Sequence, residues 1–261
     1  MRKYIEFAWF ESRYSMRYRA NSVFYAIMSL VSFFVFFFLW KTIYSIHGTG
    51  WDYSFREMAT YYLVTNLLFN FAPTCWSEVS NFIRNGFIVN FLSRPLNLFA
   101  LYYARVTGFN LIYMSANLLV TIVVAFLMEK FIILSWNTRN FILMFVFWIG
   151  GGLFKFAMEY IVEIMAFWWS EVSGHRNLLY FIQAFLSGAY IPLNLIVSKS
   201  IVWLIPYNFI GYFPARIYLG KVTDHELALG LVSLIVWLVP VVMLAIYLTR
   251  KGLKVYTAPG I

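Results

Sequence analysis

Six apolar stretches, at 23–43, 59–76, 106–128, 141–169, 178–197 and 227–248, occupy most of this chain. Each approaches or exceeds the roughly 20 residues that a helix needs to cross about 30 Å of hydrocarbon. A segment surrounded by lipid has to satisfy its backbone hydrogen bonds internally, so such a chain folds as helices. The fold class expected is an all-α polytopic membrane protein forming a single domain over 1–261. Composition agrees: 62% of the 261 residues are hydrophobic and 12% are charged, about half the charged fraction of a soluble domain. The excess of 20 Lys+Arg over 11 Asp+Glu fits cytoplasmic loops against anionic lipid and implies no nucleic-acid partner. Counting Lys and Arg in the short loops puts the N- and C-termini in the cytoplasm.

Residues 1–20 precede the first span and alternate charge with aromatic side chains. On a 3.6-residue period Arg2, Glu6, Arg13 and Arg17 share one face, and Tyr4, Phe7, Tyr14 and Tyr18 share another. The expectation is an interfacial amphipathic helix with Arg13 and Arg17 as membrane-surface anchors. It is not read as a signal peptide, because the apolar run that follows is too long and has no small-residue cleavage site.

Polar residues inside the spans are few and therefore informative. Asn66 and Asn70 lie one turn apart in the second span, so their face should turn toward other helices. Lys155, Glu159 and Glu163 are spaced by four on the fourth span and share a face. Two readings stand: a polar stripe along a conduit or subunit interface, or a self-neutralising pair that fixes helix packing. Gly150, Gly151 and Gly152 lie one turn away and permit close helix approach or a bend.

Between the second and third spans, residues 77–105 contain NFIRNGFIVNFLSRPLN at 81–97, basic and punctuated by Gly86 and Pro95. Arg84 and Arg94 are costly in hydrocarbon, which places this segment in water or at the headgroups as a docking surface for another protein. After the fifth span, residues 198–226 hold a second apolar run that is too short to cross. A re-entrant hairpin on the outer side is expected there.

Catalytic patterns do not emerge. His47, His175 and His225 fall at separate positions, and Cys75 is the single cysteine. Neither a phosphate-cradling GxxxxGK[ST] loop nor a GxSxG elbow occurs, so the chain is expected neither to bind ATP nor to act as an enzyme alone.

In its order of motifs the chain resembles permease subunits of ABC-2-type exporters. The resemblance is carried by Arg84-Asn85-Gly86, by 92–96 (LSRPL), by 187–193 (SGAYIPL) and by 250–260 (RKGLKVYTAPG), and it extends over essentially the whole chain. It implies two permeases, identical or homologous, and two cytosolic ABC ATPase subunits in a bacterial cytoplasmic membrane, with ATP and Mg held by the ATPases. It also implies a coupling helix between the second and third spans. Glu78, Arg84, Asn85 and Arg94 would then touch the ATPase, while Gly86 and Pro95 shape the backbone. The implied translocation path, between the two permeases, includes Asn66, Asn70, Phe185 and Tyr190. Two alternatives from the residues themselves are an ion-coupled secondary transporter using Lys155, Glu159 and Glu163, and a membrane enzyme acting on lipid.

Overall fold

In the computed structural model, residues 2–48, 52–75, 78–92 and 96–257 are described, and among them every regular element is helical. Helix α1 (Arg2–Ser15) leads through a short 3-10 turn into α2 (Arg19–His47), followed by α3 (Phe55–Phe71). Two short helices, α4 (Glu78–Arg84) and α5 (Val89–Leu92), separate α3 from α6 (Leu98–Leu127). After α7 (Thr138–Ile164) come α8 (Ser173–Leu186), the single-turn α9 (Lys199–Val202), α10 (Tyr212–Tyr218) and the long α11 (Asp224–Val255).

Polar residues fix where these helices begin. Ser54 and Glu57 form a reciprocal capping box at the start of α3, and Thr223 and Glu226 form another at the start of α11. Asn97 and Asn137 accept from the N–H groups of Ala100 and Asn140, which starts α6 and α7 earlier than the expected spans at 106 and 141.

Among the described residues four helical segments are long and apolar enough to cross a membrane: Ala20–Ile46, Leu98–Leu127, Thr138–Phe167 and Asp224–Val255. Helices α3 and α8, at the second and fifth expected spans, have 17 and 14 residues, shorter than the roughly 20 of a typical crossing helix. The expected span at 178–197 is α-helical only through Leu186. Gly188 then takes φ +77°, in the left-handed region, and the chain turns.

Beyond that turn the chain doubles back, and Tyr212 N–H donates to Ser187 O at 2.8 Å. The returning segment is apolar because it fills the interior: Tyr207, Phe209, Ile210, Tyr212, Phe213 and Ala215 are all buried against α3 and α7. Helix α3 is buried on nearly every face, and its Tyr61 and Tyr62 hydroxyls donate to Gly188 O and Tyr190 O at 2.7 and 2.6 Å. The glycine triplet of α7 allows three different close approaches. A Cβ at Gly150 would lie 2.5 Å from Leu234 Cδ2, one at Gly151 2.5 Å from Phe209 O, and one at Gly152 3.2 Å from Pro73 Cδ.

Helix α1 lies against α6. Tyr4 and Phe7 pack into a cluster with α6, α7 and α4, while Arg13 is exposed and sits 5.0 Å over the Trp9 ring. Arg17, in the 3-10 turn, is exposed as well. The crossing is tight because position 108 is glycine: an added Cβ would lie 2.0 Å from Ala8 O.

Candidate functional site: the α4–α5 segment, its anchor on α7 and the adjoining cleft

The chain between α3 and α6 is held from behind by the buried face of α7. Lys155 and Glu159 are 2.9 Å apart with side chains 1% and 5% exposed. Lys155 Nζ also donates to Thr74 Oγ1 at 2.5 Å, and Glu159 accepts from Cys75 N–H at 2.7 Å. One turn on, Glu163 accepts from Ser80 N–H in the first turn of α4 at 3.1 Å, and from Arg176 of α8 at 2.5 Å. Arg176 in turn reaches Ser80 Oγ at 3.3 Å. A carboxylate facing the first amides of a helix complements their partial positive charge. The stripe of Lys155, Glu159 and Glu163 is thus a neutralised brace that grips the Thr74 hydroxyl and the backbone N–H groups of Cys75 and Ser80.

A second brace lies at the other end of α4. Arg84 donates to Glu171 at 2.9 Å and to Ser170 O at 3.0 Å, while Glu171 accepts from the N–H groups of Val172 and Ser173 that open α8. Hydrogen bonds from Ser173 and Arg84 hold the Glu171 carboxyl down to about 2, from an ordinary 4.5. Gly86 follows with φ +80°, ending α4 in a conformation suited to glycine. Asn85 is exposed beside it, and so are two apolar residues that sequence reasoning passed over, Phe87 (53%) and Val89 (43%). Arg94 and Pro95 lie outside the described residues.

Glu78 faces a different neighbour. It lies 3.8 Å from Arg105 of α6, which also pairs with Glu11 of α1 at 2.7 Å. These three residues line a partly open cleft of about 700 Å³ between α2, α3 and α6, together with Lys155 and Tyr180. Asn70 lines it too and donates to Asn66 O at 2.8 Å, while the Asn66 side chain is taken up by Ser29 of α2. Phe185 and Tyr190 are exposed but do not line this cleft; the Tyr190 ring stacks on Phe36 at 6.1 Å. Arg105, Glu11, Thr74 and Arg176 were missed because each gains its meaning from a partner far away in sequence.

A family model described as an ABC-2 family transporter protein matches residues 26–260. The chain belongs to the ABC-2 transporter family. No curated protein and no solved structure matches it. As an ABC-2 permease the chain is a membrane subunit of an ABC exporter, not itself the ATPase, and its partner is an ABC ATPase. Membership does not favour an ion-coupled secondary transporter. The geometry argues the same way, since each charge of the α7 stripe is already bonded to a neighbour.

Proposed function

We propose that this ABC-2 permease is one of two, identical or homologous, that move a substrate out of the cytoplasm or inner leaflet, driven by two cytosolic ATPase subunits carrying ATP and Mg. On this reading it spans the bacterial cytoplasmic membrane six times, with α3 and α8 as the second and fifth crossings. Both termini are cytoplasmic, α1 lies in the inner interface, and the segment at 198–226 dips in from outside. The α4–α5 segment is the coupling element.

The observation that carries the reading is the attachment of that segment. It is clamped to α7 through Glu159 and Glu163 and to the start of α8 through Arg84 and Glu171, yet leaves Asn85, Phe87 and Val89 exposed. A lever needs both a grip on the moving body and a free face for its driver; a force applied to the free face would reach α7 and α8 directly. Arg84, Asn85 and Gly86, with Arg94 and Pro95, form the proposed docking set, and Glu78, which turns into the cleft, borders it. Asn66, Asn70, Phe185 and Tyr190 are proposed for the path between the two permeases.

The test is purification of the tagged chain from its native membrane in mild detergent. An ATP-binding subunit recovered at about one per permease, with transport that requires ATP hydrolysis, supports the reading. Recovery of the chain alone across several detergents, with transport driven by a proton gradient, sinks it.

A further inference from the structure

The cleft between α2, α3 and α6 carries an unbalanced set of charges. Among the described residues two cations line it, and each is paired with a carboxylate. Arg105 donates to Glu11 at 2.7 Å and is faced by the rings of Phe82, Tyr102 and Phe91, with its guanidinium carbon 5.3, 5.9 and 6.0 Å from their centroids. Lys155 is held by Glu159 at 2.9 Å and by Thr74.

Glu78 differs from both. Its side chain is 47% exposed, and its nearest cation, Arg105, is 3.8 Å away, well beyond the roughly 2.7–2.9 Å of a charge-assisted hydrogen bond. Among the described residues, Glu11 and Glu78 line the cleft with Arg105 and Lys155, and Lys155 is neutralised from behind by Glu159, so three carboxylates answer two cations. The surplus negative charge resides on Glu78.

The walls around that charge are rich in rings and amides. Tyr25, Phe109, Tyr113 and Tyr180 supply aromatic faces, and Asn70 and Asn110 supply amides. Aromatic faces attract cations and pack against bulky apolar groups. A volume of about 700 Å³ lies within the usual range for a small-molecule site.

We propose that this cleft binds an organic cation carrying a bulky aromatic body, with the Glu78 carboxylate as its counter-charge and the rings of α2 and α6 around the body. That such a compound is cargo rests on the exporter reading; that it binds here does not.

The test uses the full-length protein in phosphatidylcholine nanodiscs and two size-matched probes of opposite charge, tetraphenylphosphonium and tetraphenylborate. Each is measured by equilibrium dialysis against empty discs. Saturable phosphonium binding is expected, with no saturable borate binding. Glu78→Gln should weaken phosphonium binding about tenfold. Asn70→Lys, which adds a positive charge on the cleft wall and leaves the Glu78–Arg105 contact intact, should weaken it as well and keeps the test open if the first variant fails to fold. Absent phosphonium binding, equal binding of borate, or phosphonium binding insensitive to a folded variant would overturn the proposal. Phosphonium binding by a chain that never recovers an ATPase would leave the site standing and count against the exporter reading alone.

Discussion

Glu159 on α7 accepts a hydrogen bond from the backbone N–H of Cys75 at 2.7 Å, while its other oxygen meets Lys155 at 2.9 Å. One carboxylate thus neutralises a buried ammonium and pins the chain that leaves α3. The charges are present in the interior because each completes the other's bonding, and the pair is costly to break from either side.

Lys155→Met and Glu159→Gln should each destabilise the protein by about 3–5 kcal/mol, because each strands a buried charge. The double variant should cost much less than the sum of the two. Thermal unfolding of all four proteins in one detergent checks this, and additive losses would refute the pairing.

Gly108 permits the crossing of α1 over α6, since a Cβ would lie 2.0 Å from Ala8 O and 2.6 Å from Ala8 Cα. Backbone cannot yield as a side-chain tip can, so Gly108→Ala should destabilise by about 1–3 kcal/mol and loosen α1. Limited proteolysis near residues 16–18 reads the release. Gly174, where an added Cβ meets nothing within 4 Å, supplies the control: Gly174→Ala should leave the cleavage pattern unchanged.

The Arg84–Glu171 brace has a defined pH window. Glu171 is depressed in the folded protein, to about 2 from 4.5. Its contribution is therefore present above pH 4.5 and is lost as pH falls toward 2. The melting temperature of Glu171→Gln should lie below the parent's at pH 6, and the gap should close between these two values. A gap that stays constant to pH 2.5 would show that the carboxylate charge is not what holds Arg84.

Charge exchange separates internal bracing from docking at Arg84. Arg84→Glu alone should weaken both the fold and the response to the ATPase. Combining it with Glu171→Arg should recover part of the lost thermal stability, the bonds from Val172 and Ser173 N–H to Glu171 remaining lost, while leaving ATPase stimulation reduced severalfold. Recovery of both in the double variant would make Arg84 a brace and nothing more.

The long helices were legible in the sequence because lipid imposes length and apolarity on α2, α6, α7 and α11. Helix α3 was harder to read: its 17 residues are buried by α2, α6 and, some 150 residues later, α10, so it is short and central rather than long and lipid-facing. The chain reversal at Ser187–Gly188 was half-visible as a short apolar run, but its packing between α3 and α7 depends on Gly151 admitting the Phe209 backbone. The α7 stripe was found by its spacing of four. Its partners were not, since the N–H groups of Cys75 and Ser80 are backbone and leave no mark in a sequence. Arg84 stood out as a charge, while Glu171, the residue that answers it, lies 87 residues later.

The most direct test of the coupling claim is photo-crosslinking from the exposed positions of the α4–α5 segment in native membranes. A photoreactive residue replacing Asn85 or Phe87 should capture an ABC ATPase subunit, and one replacing the exposed Tyr190, on the return segment after α8, should not. Transport that persists while neither Asn85 nor Phe87 yields an ATPase adduct would contradict the account.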